Sequence, residues 1–166
     1  ETKDRDPRMA QSVRTPGYTR IGSTTVEAPD ISVANTGYQL VKFVQARPPE
    51  GDRGDKSTCD MPVFRFTEVL LNYAEAKAEA GTLTQEDLRI SINLIRNRAG
   101  MPDLDMVEAN KNPDWYLSSE EYGYPNVTGP NKGVILEIRR ERAIELLEEG
   151  FRYNDLMRWK AGYCID

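Results

Sequence analysis

The chain contains no histidine and only two cysteines, and these two scarcities remove much of the usual machinery of catalysis. Without imidazole there is no Ser-His-Asp or Cys-His nucleophile system, and the commonest metal ligand is missing. Cys59 and Cys164 lie far apart and show no zinc spacing, so two free thiols are the plain expectation, with a bridge between them left open. Any chemistry would have to run on carboxylates. Basic residues are also in short supply: Lys+Arg 22 against Asp+Glu 27 gives a net charge of -5, and the arginines interleave with glutamates. That pattern leaves no footprint for a phosphate backbone, so no nucleic acid partner is expected. No apolar run is long enough to span a bilayer, and Glu1-Thr2-Lys3-Asp4-Arg5-Asp6 resembles no signal segment; it reads as the middle of a longer chain. A hydrophobic content of 39% and a mean hydropathy of -0.64 fit one domain, or part of one, with a polar surface.

Two composition zones follow. Residues 1–62 carry many prolines and glycines and no persistent helical period, which predicts an irregular, loop-rich segment. The β-branched patches Ser23-Thr24-Thr25-Val26 and Leu40-Val41-Lys42-Phe43-Val44 suggest a short β-hairpin near the N-terminus. Pro48-Pro49-Glu50-Gly51-Asp52-Arg53-Gly54-Asp55 reads as an exposed, cleavable loop.

Residues 63–162 are patterned for helical hairpins. On a wheel from Val63 to Ala80, Glu68, Asn72, Glu75 and Glu79 form a narrow polar strip, while Phe64, Phe66, Val69, Leu70, Leu71, Tyr73, Ala74 and Ala78 cover the rest. Such a helix should be wrapped on two sides. Gly81 offers a stop, after which Thr84 caps a second helix, Gln85 to Ala99, with Asp87 at its third position. Leu88, Ile92, Ile95 and Ala99 stripe that helix, and Gly100 and Pro102 end it. A third helix, Ile135 to Glu148, sets Ile135, Leu136, Ala143, Leu146 and Leu147 on its apolar face. Arg139 interrupts this face, which predicts a buried carboxylate partner. Between the second and third helices, residues 101–132 make a loop long enough to be either functional or disordered.

Four motifs in order carry a resemblance to a known family: Asp6-Pro7-Arg8-Met9; Pro62-Val63-Phe64-Arg65-Phe66-Thr67-Glu68-Val69-Leu70-Leu71-Asn72-Tyr73-Ala74-Glu75-Ala76; Ile92-Asn93-Leu94-Ile95-Arg96-Asn97-Arg98-Ala99-Gly100-Met101-Pro102; and Ile138-Arg139-Arg140-Glu141-Arg142 through Glu149-Gly150-Phe151-Arg152-Tyr153-Asn154-Asp155-Leu156-Met157-Arg158-Trp159. Together they resemble the SusD/RagB nutrient-binding lipoproteins. The resemblance implies a mostly α fold of tetratricopeptide-like helical hairpins with long irregular loops, and a chain that is the C-terminal part of one larger domain. It also implies lipid anchoring on the extracellular face of the outer membrane of Bacteroidetes-type bacteria. There the protein would capture oligosaccharides or other nutrients for a SusC-like TonB-dependent transporter. No cofactor is expected. Independently, a first helix apolar on so many sides suits stacked hairpins, each burying what its neighbour cannot.

Within the long loop, Trp115, Tyr116, Tyr122, Tyr124 and Asn126 stand among Asp114, Glu120 and Glu121. Flat aromatic faces for C–H surfaces beside amides and carboxylates for hydroxyls are what a sugar site needs. The same aromatics would also serve to pin the loop to the helices, and both roles stay open here. Arg139, Arg142, Arg152, Asp155, Arg158 and Trp159 read as an ion-pair and cation–π lattice that holds a helix corner. Glu141, Glu145 and Glu148 recur at helical spacing, as a solvated or arginine-paired face would, and give no sign of the desolvated pair that a glycosidase needs. The expectation is a binding protein and no enzyme; the competing reading is a tetratricopeptide-like interaction scaffold without a small ligand.

Overall fold

The computed structural model describes residues 3–46, 55, 57–60 and 62–164, the last without its side chain. Most of the expected exposed tract from Pro48 to Asp55 lies outside the described residues, as does the Cys164 thiol; Cys59 is a free thiol. The chain is mostly helical and forms two compact units, Glu1–Val63 and Phe64–Asp166.

In the first unit, Asp6 folds back on Arg8, accepting from its backbone N–H at 2.9 Å and from its Nη2 at 2.7 Å. One helical turn follows, α1 (Met9–Ser12). In place of the expected hairpin, two isolated antiparallel bridges join Val13 to Leu40 and Thr19 to Val26, with no sheet among the described residues. Extension of the second bridge would bring Pro16 opposite Pro29, and neither has an N–H to donate to a ladder. Arginines hold the segment instead: Arg14 Nη1 donates to Ala28 O at 3.0 Å and Arg20 Nη1 to Gln45 O at 2.8 Å.

The second unit contains α2 (Phe66–Glu79), α3 (Gln85–Arg89), α4 (Ile92–Arg98), α5 (Met106–Lys111), α6 (Lys132–Glu145) and α7 (Arg152–Arg158), then a 3-10 turn at Gly162–Cys164. Leu71, Ala74 and Ala78 of α2 meet Leu88, Ile92, Ile95, Val134 and Ile138 in one apolar cluster. The alanines let the backbones approach closely, since they carry no side chain beyond Cβ.

Four expectations need correcting. The helix predicted over 85–99 breaks into α3 and α4, because the buried Ser91 hydroxyl donates to the Asp87 carbonyl at 2.5 Å and so claims the acceptor its own N–H would use. The stretch 101–132 is not all loop. Asp105 accepts from Val107 N–H at 2.8 Å and Glu108 N–H at 2.9 Å and nucleates α5. The third helix begins at Lys132, three residues early, because Asn110 Oδ1 on α5 accepts from Val134 N–H at 2.9 Å and caps α6 from outside. The two helices can touch there because residue 133 is glycine: a Cβ would stand 1.8 Å from Ala109 O.

The fourth correction concerns the facing of α2. Leu71, Ala74, Glu75 and Ala78 are buried, whereas Phe66, Val69 and Tyr73 are exposed, so the helix is covered on one side and, of the polar strip, Glu75 turns inward while Asn72 and Glu79 stay exposed. Its partners explain why. Glu75 accepts from Arg158 Nη1 at 2.6 Å and from the buried Trp159 Nε1 at 2.6 Å; Asn72 Oδ1 accepts from Arg142 Nη1 at 2.7 Å. Arg142 Nε also donates to Asp155 at 2.6 Å, and Arg158 Nη2 to Asp155 at 2.8 Å, so α2, α6 and α7 meet through a charged lattice. A second lattice closes beside it: Arg65 bonds Glu149 and Glu145, Arg98 bonds Glu145, and Arg96 bonds Glu141. The α6 acids Glu141 and Glu145 are buried but matched by arginines, as charges out of water must be.

The expected Thr84 capping box is present: Thr84 Oγ1 accepts from Asp87 N–H at 3.2 Å and Thr84 N–H donates to Asp87 at 2.8 Å. The Tyr73 hydroxyl and the Thr84 hydroxyl also donate to this carboxylate, and Lys77 lies 3.6 Å away. These donors, Tyr73 foremost, hold Asp87 down from 3.8 to about 2. A depressed carboxylate stabilises the fold above its unfolded value and loses that contribution as pH falls through its folded value. Thermal midpoints of the wild type should therefore drop between about pH 4 and pH 2, and Asp87→Asn should start lower and lack that part of the drop. Parallel pH curves for the two proteins would remove Asp87 as the anchor of this turn.

Candidate functional site

The loop between α5 and α6 is shaped by its own short side chains. Asp114 Oδ1 accepts from Leu117 N–H at 2.8 Å, Ser119 Oγ donates to Tyr116 O at 2.8 Å, and the same oxygen accepts from Tyr122 N–H at 3.1 Å. The turn closes where Tyr124 N–H donates to Leu117 O at 2.7 Å and Gly123 N–H to Ser119 O at 3.1 Å. Only glycine fits at 123, since a Cβ there would lie 2.3 Å from Leu117 O.

This closure sets the Tyr116 and Tyr122 rings in a parallel stack, centroids 5.4 Å apart and planes at 8°, with Trp115 edge-on to Tyr116 at 5.8 Å and 85°. All three rings are open to solvent, Trp115 at 78%, Tyr122 at 55% and Tyr116 at 46%. Large rings so exposed, held by one loop, make an apolar platform with the Trp115 ring standing across the stacked pair.

Tyr124 and Asn126 point elsewhere. Tyr124 is 4% exposed and packs edge-on against Trp159 at 5.6 Å in a second apolar cluster with Val127, Leu136, Leu156 and Ala161. Asn126 stays at the surface, but its Nδ2 donates to Trp159 O at 2.8 Å. These two residues fasten the loop to α7. The structure thus divides the five aromatic and amide candidates into an exposed trio and a pinning pair.

Arg139 joins the pinning side, its guanidinium 4.7 Å from the Trp159 centroid and 5.1 Å from that of Tyr124. Its carboxylate partner is Glu79 at 3.3 Å, which is half exposed rather than buried as expected; the two aromatic faces take the share that a second carboxylate would have supplied. Arg140 ties the platform to α6, bonding Asp114 at 2.5 Å and Glu137 at 2.8 Å. Burial opposes ionisation of Asp114, but the Leu117 N–H and Arg140 outweigh it and hold the carboxyl below its usual range. Burial pushes Glu137 the other way, with Arg140 only partly offsetting it. The Glu121 carboxylate, hydrogen-bonded to the Tyr122 phenol, raises the pKa of that phenol.

Sequence reasoning missed Gly123 and Ser119 as the residues that form the stack. The signal available was Ser119 three residues before Tyr122 and a glycine just after, a turn pattern. Among the described residues, no group of three or more cysteine, aspartate or glutamate side chains is arranged to hold a metal ion, and no helix is long and apolar enough to cross a membrane. No curated protein and no solved structure matches the chain. A family model does match, over residues 1–164, and the protein therefore belongs to the SusD family, nutrient-binding proteins of the cell surface.

Proposed function

We propose that the protein captures an oligosaccharide at the extracellular face of the outer membrane, where it is lipid-anchored, and delivers it to a SusC-like TonB-dependent transporter. The observation that carries this reading is the solvent-open Tyr116–Tyr122 stack with Trp115 at its edge. The outward face of the stacked pair and the open Trp115 ring offer apolar surfaces for the C–H faces of a sugar chain, and Glu120, Glu121 and the phenols supply partners for hydroxyls. Tyr124 and Asn126 hold that platform in place. In this reading the protein binds without turning its ligand over, which is supported by the engagement of the α6 acids Glu137, Glu141 and Glu145 by Arg65, Arg96, Arg98 and Arg140. Family membership supports nutrient binding, and the helical hairpins serve as a tetratricopeptide-like frame.

One observation favours the scaffold reading instead. The outward face of α2 leaves Phe66, Val69 and Tyr73 in solvent, as a surface for a partner protein would. Calorimetry on the full-length protein against plant, host and mucin glycans separates the two. Under the proposal, Trp115→Ala lowers oligosaccharide affinity about tenfold or more with an unchanged thermal midpoint. Affinity that ignores Trp115→Ala removes the platform from the site, and no affinity across the panel supports the scaffold.

A further inference from the structure

We infer that the platform selects uncharged oligosaccharides and rejects acidic ones. This rests on the proposal that Trp115, Tyr116 and Tyr122 form the sugar-binding surface, and it adds the class of sugar. Between Asn112 and Asn131 the chain carries three carboxylates, Asp114, Glu120 and Glu121, and no lysine or arginine. Two of them, Glu120 and Glu121, are exposed directly beside Tyr122, and Glu121 is bonded to the Tyr122 phenol.

Among the described residues the cation seen in an ion pair with this loop is Arg140, already shared between Asp114 and Glu137, while Arg139 and Arg152 lie over the buried Tyr124 ring on the pinning side. A guanidinium between two carboxylates has no surplus charge for a third, so the group of five charges stays net negative. An acidic sugar laid on the rings would therefore bring its carboxylate or sulfate against Glu120 and Glu121, with no lysine or arginine of the loop itself to meet it. A neutral sugar meets no such cost, because ionised carboxylates accept hydrogen bonds from hydroxyls. Like-charge repulsion at an exposed surface acts against the wrong ligand more than for the right one, and salt screens it.

The test uses the full-length protein and two sets of hexasaccharides: cellohexaose, xylohexaose and mannohexaose as neutral probes, hexagalacturonate and a hyaluronan hexamer as acidic ones. At low salt at least one neutral probe should bind, with both acidic probes weaker by about tenfold or more. The double variant Glu120→Gln/Glu121→Gln should raise acidic-probe affinity about tenfold while neutral affinity holds within about threefold, and the gain should vanish in about 1 M NaCl. An acidic probe that binds as tightly as the best neutral one, and is lost in Trp115→Ala, would overturn the charge selection while leaving the platform standing. Binding of no probe, or binding indifferent to Trp115→Ala, would overturn the platform and this inference together.

Discussion

Replacing Glu75 by alanine is expected to destabilise the protein by about 3–5 kcal/mol, the usual cost of stranding buried charges by deleting one partner. Glu75 is 7% exposed and accepts from Arg158 and from the Trp159 indole N–H, and Arg142 Nε lies 3.9 Å away. Its removal orphans the Trp159 N–H, which is buried and has no water to turn to. It also leaves Arg142 to Asp155 and Asn72 alone. Burial opposes ionisation of Glu75, but the bonds from Arg158 and Trp159 outweigh it and hold the carboxyl below its usual range. Its contribution should accordingly be present at neutral pH and fade as the solution is acidified through its folded value. Chemical denaturation gives the size of the loss. A double-mutant cycle with Trp159→Phe then isolates the indole bond as a coupling energy of about 1 kcal/mol or more. A loss below about 1 kcal/mol would place Glu75 among ordinary surface ion pairs and remove the lattice from the account of the fold.

The second large effect runs against helix propensity. Glycine inside a helix is normally improved by alanine, by about 1 kcal/mol. At Gly133 of α6 the sign should reverse, because the new methyl would stand 1.8 Å from Ala109 O and 2.8 Å from Asn110 N, backbone atoms that no rotamer change can move aside. Either α5 shifts outward, which breaks the 2.9 Å bond from Val134 N–H to Asn110, or the start of α6 unwinds. A net destabilisation of about 3 kcal/mol is expected, at the upper end for overpacking. Amide exchange should be fastest over α5 and the first turn of α6. A neutral or stabilised Gly133→Ala would show that the two helices do not meet as closely as described.

What could be read from residues alone divides along physical lines. Local signals were legible: the Thr84–Asp87 capping box depends on residues three apart, and the arginine-rich corner ending at Trp159 follows from side-chain chemistry that has few other outlets. Membership of the SusD family was legible from four ordered motifs. Tertiary choices were not. Glu75 reads as one of four polar residues on a solvent strip of α2, yet it is buried beside Leu71, Ala74 and Ala78, because arginines from α6 and α7 and the Trp159 indole arrive there and nothing in the α2 sequence records their approach. The break at Ser91 turns on one hydroxyl reaching one carbonyl. The division of the loop aromatics, Tyr124 inward and Tyr116, Tyr122 and Trp115 outward, depends on a tight turn at Gly123 that has no period to detect.

The bond between Asn110 and Val134 has a bearing on how such proteins diversify. It joins the two points at which the chain leaves α5 and settles into α6, so the segment between them starts and ends at one closed doorway. A replacement segment of different length or aromatic content need only begin and end at that doorway, with one docking contact such as Tyr124 on Trp159, to be carried by the same rods.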